Sequence, residues 1–282
     1  MTGSWVFCIL LYALIKGLRE GIKKKAMSKS SITEVLFFYT LTAFLFQIPF
    51  AHHIFALQPL DYVLIFLKSF IIFIAWICAF HAIRQMPVSL YSVLDLTRML
   101  FSVALGVLIL QETMGWRQWV GLAIVVAGLL LVNLRREKSD MPVRHIYVLL
   151  TLISCFLNAV SGILDKVYLR TMETSQMQFW YMLFLTLLYL VYLLLTKTKV
   201  NWGTLKTNYW IPLLGFIFII GDRALFIANA DPNSQVTMMT LLKQSSVLFT
   251  ILIGKLMFHE KQIGYRLLCA CIVVAGILLA IL

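Results

Sequence analysis

The chain repeats itself. The segment ETMGWRQWVGLAIVVAGLLL begins at Glu112, and EKQIGYRLLCACIVVAGILL begins 148 residues later at Glu260. The same offset pairs Val88 with Val236, Leu94 with Leu242, Leu100 with Leu248, Phe101 with Phe249 and Gly106 with Gly254. Each copy reads as a long apolar helix, a short turn carrying a Glu, and a second apolar helix. One supersecondary plan is used twice, so the fold has to be built from two similar halves.

Lipid has to cover those halves. Hydrophobic residues make up 61% of the 282 and charged residues 13%, with a mean hydropathy of +0.92. A water-soluble domain of this length cannot hide so much apolar surface. Ten apolar segments are long enough to cross a bilayer: 4–22, 33–50, 61–82, 88–110, 117–134, 145–165, 177–196, 208–229, 235–258 and 263–282. The intervening stretches are short and polar. The charged segment RREKSDMPVR, Arg135–Arg144, lies near the midpoint. We therefore divide the chain into residues 1–134 and 144–282, with 135–143 as the linker. Five crossings per half is an odd number, so the second half enters the membrane from the opposite side. The expected fold is all-α and polytopic: ten transmembrane helices in two inverted five-helix repeats, with the substrate site of a transporter between them.

A Glu followed by an apolar run that ends in Ala-Gly closes each copy, as Glu112…Ala127-Gly128 and Glu260…Ala275-Gly276. The preceding segments are AFHAIRQMPVSLYSVL and LFIANADPNSQVTMMTLL. On these residues the chain resembles the EamA-type, ten-helix proteins of the drug/metabolite transporter superfamily, over its whole length. The resemblance implies that helices 1, 3, 4, 6, 8 and 9 line a central cavity, and that helices 5 and 10 are peripheral. Family members commonly carry a proline in the upper middle of helices 4 and 9. This chain has Thr97-Arg98 and Ser245-Ser246 there, which points to a specialised site.

Charges inside apolar segments carry the functional argument. A charge at mid-bilayer costs about 2.5–3.5 kcal/mol on insertion scales, so it normally faces a cavity or a partner. Helix 4 places Tyr91, Asp95, Arg98 and Ser102 on one face. Helix 9 carries Thr240, Lys243 and Gln244, and Lys243 is the repeat mate of Asp95. Helix 8 carries Asp222-Arg223, Phe226 and Asn229; helix 6 carries Asn158, Gly162 and Asp165. The expected substrate-binding set is Trp76, Tyr91, Asp95, Arg98, Asn158, Asp222, Arg223, Phe226, Lys243 and Gln244. The competing reading makes Asp95 with Arg98, and Asp222 with Arg223 or Lys243, internal ion pairs that only hold helices together.

Other polar residues read more plainly. Lys16, Arg19, Glu20, Asp165 and Lys166 lie nearer segment ends and are expected to snorkel to the headgroups. Glu112 and Glu260 are expected to cap the helices that follow them. Gly121, Gly128, Ala275 and Gly276 let helices 5 and 10 approach their neighbours. Cys8, Cys78, Cys155, Cys269 and Cys271 read as small core residues, and His81 as an interfacial group. His52-His53 has no ligating residue at metal spacing, so no metal is expected; no cofactor is expected either. Six Trp fall at segment ends as an interfacial belt, while Trp76 is mid-helix.

The net charge of +12 comes from basic loops on one side, including Lys23–Lys25, Lys29, Arg84, Arg135, Arg136, Lys138 and Lys261, and implies no nucleic-acid partner. The positive-inside rule puts those loops in the cytosol and both termini outside; the resemblance implies the reverse. The expected protein is an integral multi-pass protein of a bacterial plasma (inner) membrane and not an enzyme. Its expected partners are a small-molecule substrate and the lipid bilayer. It would move a small anionic or zwitterionic metabolite by alternating access, with Asp95 or Asp222 meeting an amine or carrying a coupling proton. A membrane enzyme on a lipid-linked substrate would need a catalytic constellation at one interface. A non-transporting scaffold would need neutralised charges and no open cavity.

Overall fold

The computed structural model describes residues 4–51, 53–85, 94–95, 97–134, 144–198, 200–246, 249 and 263–281. Among them there is no strand. Tyr91, Glu260 and the linker 135–143 lie outside the described residues. The principal helices are α1 (Ser4–Met27), α2 (Ile32–Gln47), α3 (Pro59–Gln85), α4 (Thr97–Ile109), α5 (Trp116–Leu134), α6 (His145–Tyr168), α7 (Thr174–Leu195), α8 (Trp210–Ala230), α9 (Val236–Lys243) and α10 (Ile263–Ile281). Short helices at Ile48–Phe50 and Trp202–Thr207 complete them.

Five helices are long and apolar enough to cross a membrane: α2 through Phe50, α3, α6, α7 and α8. The helix α4 is a shorter apolar one. Charges keep α1 off this list. It runs to Met27 rather than to residue 22 as expected, because Lys23, Lys24 and Lys25 are good helix formers and extend it. That extension moves Lys16 and Arg19 from the end of a helix to its middle.

Helix packing repeats when every helix number is shifted by five. Helix α1 packs on α8, and α6 on α3; α2 packs on α8, and α7 on α3; α1 packs on α9, and α6 on α4. The pairs α2–α7, α4–α9 and α5–α10 each join a helix to its own mate. The two halves therefore interlock. Their buried apolar residues form two clusters: one chiefly of α2, α3, α7 and α8, joined by Ile22 and Ala26 of α1 and Tyr168 of α6, and one chiefly of α1, α4, α5, α9 and α10, joined by Ile163 of α6 and Leu225 and Ala228 of α8.

A mirrored pair of braces ties the halves at opposite ends of the bundle. Ser31 caps α2: its hydroxyl accepts from the Glu34 N–H at 3.3 Å, and Glu34 accepts from the Ser31 N–H at 2.8 Å. The other Glu34 oxygen accepts from the Asn201 N–H at 2.8 Å, across to the second half. At the start of α7, Gln176 accepts from the Glu173 N–H at 3.0 Å and donates to the His53 carbonyl at 3.1 Å, across to the first half. Asn201 and His53 are themselves 148 residues apart. A local capping motif thus doubles as the long-range tie in both copies.

Helices α5 and α10 cross where side chains vanish. A Cβ on Gly121 would meet the Gly276 carbonyl at 2.6 Å, and one on Gly276 would meet the Gly121 carbonyl at 2.9 Å. The expected close approach is therefore made by this pair on each other. Of the cysteines, Cys78 and Cys155 are buried, Cys8 is half-buried, and Cys271 is exposed on the lipid side of α10, unlike the core residue expected. Trp116, Trp119 and Trp202 are exposed at helix ends, where an indole sits well at the interface.

Candidate functional site

Asp95, two residues before α4, and Arg98 in its first turn pair through their side chains at 2.8 Å. Both stay partly open, at 25% and 29% exposure. The Thr97 hydroxyl donates to the Leu94 carbonyl at 2.7 Å. Its repeat mate does the same, with the Ser245 hydroxyl donating to Leu242 at 2.8 Å. Hydroxyl groups thus back-bond to the main chain at matching points of the two copies, Thr97 and Ser245. The apolar segment 235–258 is interrupted after Lys243, where the N–H groups of Gln244 and Ser245 turn back three residues, to Leu241 and Leu242, both at 3.0 Å; Ser246 and Phe249 are helical again, and 247–248 and 250–262 lie outside the described residues.

Lys243, at that break, lies over the Tyr12 ring of α1 at 5.8 Å. Lys16 and Arg98 lie within its Coulombic reach. Arg19 sits over the Phe218 ring at 5.0 Å and reaches the Tyr12 side chain. Phe218 closes an aromatic trio: Tyr39 stacks on Trp76 at 5.5 Å, and Phe218 meets both edge-on at 5.3 and 5.4 Å. Asp222 is buried, and its Oδ2 has no hydrogen-bond partner among the described residues. Lys68, Asp165, Arg19 and Lys243 are the charges that act on it.

The most buried charge was missed from the sequence. Lys68 of α3 is 1% exposed and pairs with Asp165 of α6 at 3.0 Å. Its ammonium lies 3.4 Å from the Tyr181 ring centroid and 4.6 Å from that of Phe226. The signal was present: a lone cation in the middle of LIFLKSFIIF obeys the same rule that singled out Asp95. Asp165 does not snorkel as expected, and neither does Lys166. Both are 5% exposed, and Lys166 donates to the Asp231 carbonyl and the Ser234 hydroxyl at 2.6 Å each. The helix α6 packs against α3 and α4, so these polar groups near its end find protein partners instead of water.

Glu112 also behaves differently from expectation. Gln111 adopts a left-handed φ of 55°, and the Glu112 N–H folds back onto the Gly106 carbonyl at 3.2 Å. Its carboxylate then accepts from the N–H groups of Val236 and Thr237, at 2.6 and 2.9 Å. It caps α9 of the other half, not the helix that follows it. A Cβ on Gly106 would stand 3.0 Å from the Glu112 carboxylate, so a glycine is needed beneath this contact. A carboxylate at a helix N-terminus satisfies orphan donors and the macrodipole together.

The expected site set is thus split. Asp95, Arg98, Lys243 and Asp222 are brought within Coulombic reach of one another's neighbours where α1, α4, α8 and α9 pack, and Trp76 of α3 joins the aromatic trio beside Arg19. Phe226 lies under Lys68. Asn158 donates to the Ser154 carbonyl one turn back, at 2.8 Å, and Gln244 to Thr240 at 3.4 Å; each is occupied within its own helix. Arg223, one residue from Asp222 and so about 100° around the helix, points away to the Phe50 ring at 5.1 Å. Among the described residues, no group of three His, Cys, Asp or Glu could hold a metal.

Comparison with known proteins agrees with this architecture. The sequence signature of the EamA-like transporter family matches residues 3–134 and again residues 145–282. A solved crystal structure superposes with a TM-score of 0.77 over 98% of this chain and 94% of its own, at 14% identity, which establishes a common fold. Over 80 residues, 28% of this chain, the sequence is 34% identical to the putative nucleotide-sugar transporter YMD8 of Saccharomyces cerevisiae. That match spans 18% of the yeast protein's length.

Proposed function

The chain belongs to the EamA-like transporter family and is an integral multi-pass membrane protein; from that premise we propose that it is a secondary transporter, not an enzyme, for a small anionic or zwitterionic metabolite. The observation that carries the reading is the balance of charge inside the bundle. Lys16, Arg19, Lys68, Arg98 and Lys243 outnumber the carboxylates of Asp95, Asp165 and Asp222 among the described residues. Asp95 and Arg98 keep a quarter or more of their surface open, so water and solute reach them. A net positive interior suits a solute that carries a negative group across the membrane.

In this reading Arg98 and Lys243 hold the negative group of the substrate. Asp95 or Asp222 meets an amine, or carries a coupling proton. Tyr39, Trp76 and Phe218 supply apolar contact. Alternating access follows from rocking of the halves. Glu112 ties α9 to the first half on one side, and the braces at Glu34 and Gln176 mark the two faces that would open in turn. The basic loops favour a cytosolic face at Lys29 and Arg84 of a bacterial plasma membrane, with both termini outside.

The yeast relative's name adds sugar nucleotides to the solutes to try first, beside organic phosphates and amino acids. The test is uptake into proteoliposomes loaded with each class. Arg98→Ala and Lys243→Ala each abolish uptake while leaving folded yield largely intact. Normal transport in both overturns the site; loss of folded protein in both favours ion pairs that only hold helices together. No flux of any class, with a product formed from a lipid-linked substrate, would favour an enzyme instead.

A further inference from the structure

Asp95, Asp165 and Asp222 lie inside the bundle, and two of them are answered by a cation. Asp95 pairs with Arg98 at 2.8 Å, and Asp165 with Lys68 at 3.0 Å. Asp222 is the exception. It is 7% exposed, its Oδ2 is buried without a hydrogen-bond partner, and no ion pair reaches it among the described residues. It stands eight residues before the end of α8, about 12 Å along the axis. An aspartate has no long stem with which to reach the headgroups from that depth.

Titratable and charged groups face Asp222 from every helix packed around it. Helix α1 contributes Tyr12 and Arg19, α2 Tyr39, α6 Asp165 and α7 Tyr181; Lys68 of α3 and Lys243 of α9 complete the set. Lys16 and Arg98 lie one step further, beside Lys243. Each cation is committed elsewhere. Arg19 serves the Tyr12 side chain and the Phe218 ring, Lys68 pairs with Asp165, and Lys243 lies over the Tyr12 ring. Arg223, the next residue, turns to the Phe50 ring. A naked carboxylate in such surroundings is costly, and the protein gives its Oδ2 neither a cation nor a donor.

Two ligands answer a carboxylate of this kind, an ammonium group or a proton. Burial decides between them. A substrate ammonium brings its carbon skeleton along and needs open surface, which Oδ2 does not offer; Asp95, a quarter exposed, has that opening. A proton needs no such room. Resting on the transporter reading above, we propose that Asp222 is the proton-coupling residue and that its proton travels with the anion, in symport. A carboxylate oxygen takes a proton from the medium on the side of entry, forming an O–H bond. It gives the proton up on the side of release, so each cycle regenerates the carboxylate. The coupling is electrostatic. Lys243 acts on Asp222, and in the reading above it holds the negative group of the substrate together with Arg98. An anion bound there answers the cation that favours the ionised carboxyl, so the protonated form gains. By linkage, the proton strengthens anion binding by the same factor.

The test of the site is infrared difference spectroscopy, acid minus alkaline, of the full-length protein reconstituted in lipid. A protonated carboxyl group gives a carbonyl stretch that a carboxylate lacks, and one without a hydrogen-bond partner stands at higher frequency than a hydrated one. Wild type shows this high-frequency band, Asp95→Asn keeps it, and Asp222→Asn loses it. Asp222→Glu moves it to a new frequency, which decides the matter should Asp222→Asn not fold. A wild type without the band, or an Asp222→Asn protein that retains it, overturns the assignment. Coupling is read in proteoliposomes that enclose a pH-sensitive dye, to which UDP-glucose, glycerol phosphate or glutamate is added. Entry of the anion acidifies the lumen; entry without acidification overturns symport. No entry of any of them overturns the transporter reading and symport with it, and the infrared band alone then supports the proton site.

Discussion

Replacing Lys68 by Met tests whether the innermost ion pair is a pair at all. The substitution keeps the length and apolar stem of the side chain and removes its charge. Asp165 then loses a partner at 3.0 Å while its own side chain is only 7% exposed. An uncompensated buried charge costs about 3–5 kcal/mol. Lys243 also acts on Asp165, which puts the expected loss toward the lower end of that range. The contact of Lys68 with Tyr181 and Phe226 adds about 2 kcal/mol for a desolvated cation over aromatic faces.

The double variant Lys68→Met/Asp165→Leu separates these terms. It gives up the aromatic contact but leaves no orphan charge, and replacing both members of a buried pair is often neutral or better. Its stability therefore returns to within about 2 kcal/mol of wild type, and the coupling between the two positions is at least about 2 kcal/mol. Equilibrium unfolding in mixed micelles reads all four proteins of the cycle. A Lys68→Met protein as stable as wild type refutes the reasoning. So does a double variant no more stable than Lys68→Met, because the two charges would then be uncoupled.

Glu112→Gln keeps the size of the side chain that caps α9 but weakens two hydrogen bonds by removing their charge; a loss of about 1–2 kcal/mol is expected, with faster labelling by an impermeant thiol reagent of a cysteine placed at Thr240. Unchanged labelling would mean that Glu112 does not hold that side shut. Gly121→Val drives a branched side chain into the Gly276 carbonyl and the Ala280 Cβ, 2.6 and 2.7 Å from the first carbon alone. Separation of α5 from α10 then costs about 1–3 kcal/mol, read as a lower unfolding midpoint. A cysteine replacing the exposed Lys29 is labelled only from the cytosolic side if the basic loops face inward; labelling of intact cells by an impermeant reagent reverses the orientation.

The sequence by itself determined that the chain lives in lipid, that it is helical, and that it is made of two copies of one plan. Those properties follow from composition, periodicity and self-similarity, all of which are read along the chain. The charges Asp95, Arg98, Asp222 and Lys243 are legible as candidates for the same reason, since a charge inside an apolar run announces itself. Only the tertiary structure decided which charges meet. Asp165 was taken for a snorkelling end group because distance from a helix end is all a sequence offers; its partner Lys68 lies 97 residues earlier on another helix. Glu112 was given to its neighbouring helix, whereas a left-handed Gln111 turns it toward Val236. Asp222 and Arg223 look like one feature in the sequence, yet adjacent residues on a helix diverge by about 100°, one toward the charges of Lys68 and Arg19 and the other toward the Phe50 ring. Local chemistry chooses which residues are polar inside a membrane, but partners are set by how interlocked helices bring distant faces together.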